Sequence, residues 1–177
     1  MPRAVALSRV WSVSGTSISK DDHGCVQVPR RAVGSDVAAL VTLRAEMFKA
    51  MGVDDGCEDW RANAHAWFRA RIDDPAYGIF VVEHDGRVVA CAVGALRDAA
   101  PSPGVPSGGD VLISNVCTEP RCRGRGYGRA VFDAVMQWAR QTGVGRAELM
   151  ATEAGRQLYE RAGFKITHSA TMRTSLS

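Results

Sequence analysis

Residues 123–128 read Arg-Gly-Arg-Gly-Tyr-Gly, between a β-like run, Val111 to Thr118, and a helix-like run from Tyr127 to Arg140. This succession of strand, glycine turn and helix constrains the fold more than any other stretch. A glycine-rich turn that opens a helix points several backbone N–H groups at one spot, and the helix dipole adds positive potential there. The result is an anion site suited to phosphate. Side chains would block close approach of a phosphate, and such a turn calls for positive φ, so glycine serves on both counts. Arg123, Arg125 and Arg129 add charge that reaches phosphate oxygens.

The spacing argues against the two commonest phosphate loops. A nucleotide P-loop needs Lys-Ser or Lys-Thr after its last glycine, and here Arg129-Ala130 follow Gly128. The dinucleotide fingerprint needs Gly-x-Gly-x-x-Gly, and Gly124-x-Gly126-x-Gly128 has the wrong step. Arg123-x-x-Gly126-x-Gly128 after a strand resembles the pyrophosphate loop of the GNAT superfamily of N-acetyltransferases. The likeness extends to both sides. Asn115-Val116-Cys117-Thr118-Glu119-Pro120 resembles the end of that family's fourth strand, and Leu158-Tyr159-Glu160-Arg161-Ala162-Gly163-Phe164 resembles its second signature. The resemblance is specific from about Asp110 to Phe164 and general from Val26 to Arg97.

Composition sets the frame. A chain of 177 residues, 46% apolar and 23% charged, is expected to form one soluble domain. We read residues 1–24 as a disordered leader and 25–177 as a single GNAT-like domain. The leader has no signal-peptide core, because Ser8, Arg9, Ser12 and Ser14 interrupt its apolar residues. No run approaches the length of a membrane span. The net charge is +3, and the arginines concentrate between Arg121 and Arg129, where a polyanionic ligand accounts for them without nucleic acid. Five irregularly spaced cysteines read as reduced thiols in a cytoplasmic protein, with no metal site.

Hydrophobic periodicity predicts a short strand at Val26 to Val28. Ser35 or Asp36 then caps a helix through Leu40, Leu43, Met47 and Met51 that Gly52 ends. A second helix covers Glu58 to Arg71. Strands at Gly78 to Glu83 and Val88 to Leu96 flank Asp85-Gly86, a hairpin-turn signal. Pro101 to Gly109 is a loop. Strand, glycine loop and helix follow, then a strand at Arg146 to Ala151, a helix at Glu153 to Arg161, and a final hairpin at Phe164 to Ile166 and Ala170 to Arg173. The order βααβββαβαββ is a mixed α/β (α+β) fold with a mainly antiparallel central sheet, in agreement with the GNAT order.

The resemblance implies acetyl-CoA as co-substrate. Its pantetheine arm would pair with the backbone of Val116, Cys117 and Thr118. Its pyrophosphate would sit on the amides of Arg123, Gly124, Arg125, Gly126, Tyr127, Gly128 and Arg129. Acyl transfer to an amine needs a base for the ammonium, a donor for the oxyanion and an acid for the leaving thiolate. Tyr159 matches the family's acid. Related enzymes carry a glutamate on the fourth strand, and the matching position here is Leu112. The candidate bases are therefore Asp110, two residues earlier, and Glu46 on the first helix. A thiol at Cys117 could in principle carry an acyl group, but direct transfer is the family's route. Trp60, Trp67 and Phe68 are read as core rather than as a pocket lining. Thr152 stands where many relatives have asparagine, and Gly155 where alanine is common. The implied function is acetylation of a primary amine of a small molecule or a peptide N-terminus, by an enzyme that relatives suggest is a homodimer. A non-catalytic acyl-CoA sensor of the same fold is the alternative. An Arg-Gly nucleic-acid binder is disfavoured by the shortness of the basic stretch.

Overall fold

The computed structural model describes residues 28–53, 59–168 and 171–176. The expected leader lies outside them. Five strands form one sheet in the order β1-β2-β3-β4-β5. These are β1 (Arg30–Arg31), β2 (Tyr77–His84), β3 (Arg87–Arg97), β4 (Asp110–Thr118) and β5 (Ala147–Leu149). The first three pairings are antiparallel, and β4 with β5 is parallel. Four helices accompany them: α1 (Val37–Ala50), α2 (Asp59–Arg71), α3 (Tyr127–Gln141) and α4 (Glu153–Arg161). The mixed, mainly antiparallel class expected from the sequence is the one observed.

Both faces of the sheet are covered, so β2 and β3 are apolar at almost every position rather than at alternate ones. Ile79, Val81, Cys91 and Val93 pack with Val37, Leu40, Leu43 of α1 and Phe68 of α2. Phe80, Val82, Ala90 and Ala92 pack on the other face with Val131, Phe132, Val135 and Trp138 of α3. The two strands meet at Asp85-Gly86, where φ is 50° and 71°, the left-handed pair that a tight hairpin turn requires.

The seat of α3 is a trough of missing side chains. Gly78 and Gly94 are cross-strand partners. A Cβ on Gly78 would lie 2.3 Å from Cδ2 of Trp138, and one on Gly94 would lie 2.5 Å from its Cζ3. The indole therefore lies flat on the backbone of both strands. This fixes the position of α3, whose other end carries the glycine loop.

Several boundaries differ from expectation. The first strand is Arg30–Arg31 rather than Val26 to Val28, of which only Val28 is described and it is not in a strand. Asp36 occupies the N-cap position of α1, yet its carboxylate accepts from Val33 N at 2.8 Å and from Arg30 at 2.7 and 2.9 Å, not from the helix. Arg30, six residues earlier on β1, outcompetes the helix amides because it offers charge and two donors. The strand expected at Arg146 to Ala151 shrinks to Ala147–Leu149. Among the described residues no strand follows α4. Of the expected final hairpin, Ile166 and Met172 are 68% and 91% exposed, so its alternation finds no apolar face to bury against.

Candidate active site

β4 carries the site, and its two ends are built differently. At its start Asp110 is buried, faces Arg97 across the ladder and accepts from Arg97 Nε at 2.6 Å and Arg146 Nη2 at 3.3 Å. Both arginines also meet Glu148 on β5. The Arg97 guanidinium, helped by Arg146, holds the Asp110 carboxyl below the usual carboxylate range. A carboxylate so held is a poor proton acceptor. Asp110 clamps β3, β4 and β5 together, which its proposal as a base did not foresee. Leu112, half-buried beside Ala95 and Glu148, supplies no ionisable group of its own.

Past Ile113 the two parallel strands part. The β4–β5 register holds only Val111 with Ala147, Leu112 with Glu148 and Ile113 with Leu149, while β4 runs on to Thr118. The stretch Ser114 to Thr118 thus has β3 on one side and no strand on the other. Such a one-sided strand accepts an extended ligand as an added strand. The same stretch contains a bulge. Cys91 faces Cys117 and Val93 faces Ser114, so Asn115 and Val116 together oppose Ala92. Asn115 takes φ 52°, a region that asparagine tolerates better than most residues. The bulge re-aims the strand: Val116 packs on the α3 side, whereas Asn115 and Cys117 turn toward α1.

The glycine loop docks on the far end of β4. The short 3-10 turn Pro120–Cys122 leads into it. Gly124 and Gly126 have φ of 78° and 84°, and Gly126 is the N-cap of α3 with no side-chain cap. Ala130 N donates to Gly126 O at 3.0 Å, the bond that starts the helical ladder. The amides ahead of it, Gly128 and Arg129 included, point out of the helix end. Gly128 is small for another reason, since a Cβ there would lie 2.9 Å from Thr118 Oγ1. Tyr127 is buried, with its ring 5.6 Å from that of His84, so its side chain belongs to the core. Arg123, Arg125 and Arg129 are exposed at the rim and tethered lightly: Arg123 Nε to Thr118 O, Arg125 Nη1 beside His84 Nε2, Arg129 Nε to Asp133, each at 3.3 Å.

The remaining candidates flank the open stretch. Glu46, half-buried on α1, is close enough for its charge to push the Cys117 thiol upward. Burial is the largest cause, Arg123 partly offsets it, and the net effect raises that thiol to about 11. Cys117 is therefore a protonated core thiol at neutral pH, unsuited to nucleophilic work. Tyr159 lies on α4, half-buried against Phe132 and Phe164, with ring centroids 5.2 and 6.4 Å away. Burial raises its phenol, which stays protonated at neutral pH. Gly155 lies beneath it; a Cβ there would sit 3.0 Å from Tyr159 Cε2. Tyr159, Thr152 and Arg156 help to line a cavity of about 820 Å³ beside the end of β5.

A second cavity of about 610 Å³ opens on the other side of β4, between it, α1 and α2. Trp60 and Trp67 line it, and so does Phe68, although these were read as core; only Phe68 is fully buried. Arg44, Phe48 and Asn115 also line it, and none of them was assigned to a pocket from the sequence. The available signal was an arginine and a phenylalanine four apart on α1, a spacing that puts both on one flank of the helix.

This splayed sheet with a glycine loop at the end of its fourth strand is the architecture of an acyl-CoA-type transferase fold. The Acetyltransferase (GNAT) family profile matches residues 39–164, and the chain belongs to that family. An uncharacterized N-acetyltransferase of Bacillus subtilis (strain 168), YhdJ, is 32% identical over 79 residues, 42% of this chain. The chain spans 56% of that relative's length. Among solved structures, a GCN5-related N-acetyltransferase of Ralstonia eutropha JMP134 superposes with a TM-score of 0.74 at 26% identity, covering 84% of this chain and 98% of that one. An acetyltransferase of Clostridium acetobutylicum solved with acetyl-CoA shares the fold with a TM-score of 0.76 at 23% identity, over 84% of this chain and 96% of its own. Among the described residues no helix is long and apolar enough to cross a membrane.

Proposed function

We propose that the protein transfers an acetyl group from acetyl-CoA to a primary amine by direct attack on the thioester. The observation that carries this reading is the pairing of an uncapped helix N-terminus, built on Gly124 and Gly126, with a β4 stretch open on one side. Amides and arginines at the helix end suit a pyrophosphate. The open backbone of Val116, Cys117 and Thr118 suits an amide-bearing arm. Tyr159 would protonate the departing thiolate, its phenol being neutral at the working pH. Glu46 replaces Asp110 as the preferred base, because its carboxylate is free of the arginine clamp and sits near Cys117. The reading keeps the protein in the cytoplasm with Cys91, Cys117 and Cys122 as free thiols, and retains a homodimer as its expected state.

The test is a calorimetric titration with acetyl-CoA at two salt concentrations, on the wild type and on Gly126→Glu. One-site binding that weakens with salt and vanishes in the variant supports the loop assignment. Undiminished binding by Gly126→Glu would remove the loop from the site. Binding without free-thiol release across a broad amine panel would favour the acyl-CoA sensor, a reading that Leu112 and the locked Asp110 lend some support.

A further inference from the structure

We infer that the cavity between α1, α2 and β4 takes an amine acceptor that also carries a carboxylate and a flat apolar body, as an aromatic α-amino acid does. The inference rests on the acetyltransferase reading for its chemistry but on a separate set of residues for its geometry.

Arg44 is the one charged side chain among the described residues that line this cavity. Among the described residues no carboxylate pairs with it. Its hydrogen bond runs from Nη1 to Asn115 Oδ1 at 2.5 Å, and its guanidinium stacks over Phe48 at 4.8 Å from the ring centroid. A partly buried arginine held by a neutral amide and a π-face keeps a full positive charge with no counterion. Burial already pushes its guanidinium below the usual arginine value. An anion entering the cavity would relieve that cost.

A second observation points the same way. Asn115 is 4% exposed, and its Nδ2 is buried with no acceptor. The buried Nε1 of Trp60, another lining residue, also has none. Unpaired buried donors cost free energy and call for an acceptor. Neither atom is exposed to the cavity as it stands, so Arg44 is the group that presents itself to a carboxylate, which is acceptor-only, and a side-chain turn of Asn115 or Trp60 would bring a further donor to it. Phe48, Trp60 and Trp67 supply the faces for a ring, with Phe48 and Trp60 meeting edge-on at 5.5 Å. The volume of about 610 Å³ is ample for one amino acid. Position completes the fit. Asn115 belongs to the open stretch of β4, two residues from Cys117, so a carboxylate at Arg44 leaves its own α-amine beside the reacting end.

An acidic cluster in the sequence, Asp54, Asp55, Glu58 and Asp59, could attract a cationic amine such as an aminoglycoside or polyamine; only Asp59, at the start of α2, is among the described residues. A polycation in this cavity would be repelled by the like charge of Arg44, so this proposal places polyamines among the poorest ligands.

The experiment compares L-phenylalanine with L-phenylalaninamide, in wild type and Arg44→Gln. Turnover is read by thiol release. Binding of N-acetyl-L-phenylalanine and its amide to the CoA-loaded protein is read by calorimetry. The amide's amine is the weaker base and more readily uncharged, so intrinsic reactivity favours it. A preference for the free amino acid must come from the protein. The expected result is a preference of roughly 10- to 100-fold for the carboxylate, the range for a charge-assisted hydrogen bond, abolished in Arg44→Gln while the amide is unaffected. Equal handling of the two, equal losses on both in Arg44→Gln, or tighter binding of spermidine would overturn it. Equal losses would mean that Arg44 only supports the Asn115 bulge. Acetyl-CoA titrated into the same samples separates the two readings: lost CoA binding defeats the transferase, whereas intact CoA binding without carboxylate preference defeats this inference alone.

Discussion

Replacing Gly94 with alanine should destabilise the protein, although at an ordinary strand position the same change would help. Gly94 is not among the positive-φ residues, so alanine can adopt its backbone. Relief of unfolded-state entropy alone would then stabilise by about 0.4–1 kcal/mol. The trough reverses the sign. The new Cβ would lie 2.5 Å from Trp138 Cζ3 and 2.8 Å from Val135 Cγ2, against an ordinary carbon contact of roughly 3.5–4.0 Å. The indole must retreat by about 1 Å, and a ring that lifts away from Gly94 also leaves Gly78 and opens a void on the other strand. Overpacking of this kind costs about 1–3 kcal/mol, and we expect the upper half of that range. For a chain of this length that is a loss of roughly 4–12 °C in Tm. Urea denaturation followed by far-UV circular dichroism measures it without relying on tryptophan emission. The decisive comparison is a double-mutant cycle with Trp138→Leu, which removes the ring. In that background Gly94→Ala should become neutral or stabilising, giving a coupling of about 2–3 kcal/mol. A neutral or stabilising Gly94→Ala in the wild type, or the same cost in both backgrounds, would refute the trough as the seat of α3.

Tyr159→Phe should lower turnover roughly 100-fold, the usual contribution of a general acid, with acetyl-CoA affinity unchanged; equal turnover in steady-state assays would remove Tyr159 as the acid. Glu46→Gln should lower turnover by a similar roughly 100-fold at neutral pH, and the deficit should shrink at high pH where the amine loses its proton unaided. A pH-independent deficit in the rate profile would assign Glu46 a structural role instead. Asp110→Asn should cost about 2–3 kcal/mol at pH 7, because two charge-assisted hydrogen bonds to Arg97 and Arg146 are weakened. Arg97 foremost holds the Asp110 carboxyl low, so its stabilisation is complete above the unfolded value of about 3.9 and fades as pH falls through the lower folded value. Urea melts at pH 7 and pH 2.5 should show the gap between variant and wild type closing in acid; a gap that persists would contradict the ion-pair account.

What could be read from the sequence was whatever local chemistry dictates. Gly124 and Gly126 sit at positive φ in a turn that opens a helix, and that turn type is encoded in the residues themselves. Asp85-Gly86 is the same case. The features that eluded reading depend on partners distant in the chain. Asp110 looks like an available carboxylate until Arg97 and Arg146 are brought against it. Arg44 looks like a solvated helix charge until Asn115, 71 positions later, bulges toward it. Trp60 and Trp67 have the spacing of core aromatics, yet α2 leaves them at the mouth of a cavity. The final hairpin had the right alternation but no edge long enough to pair with, since β5 offers three residues.

Those three residues have a further consequence. Among the described residues after Gly145, strand pairing with the sheet is limited to a parallel ladder of three register pairs, supplemented by the clamp of Arg97, Asp110, Arg146 and Glu148 and by the packing of Tyr159 and Phe164 on Phe132. No residue of α4 is fully buried. This C-terminal segment is thus held by fewer backbone hydrogen bonds than β2, β3 and α3, and its amides should exchange with solvent ahead of theirs. A molecule lying between β4 and β5 would act as the missing rungs of that ladder. Its arrival would lengthen the protection of the whole segment, so that occupancy of the cleft is recorded in the exchange of these otherwise early-exchanging amides.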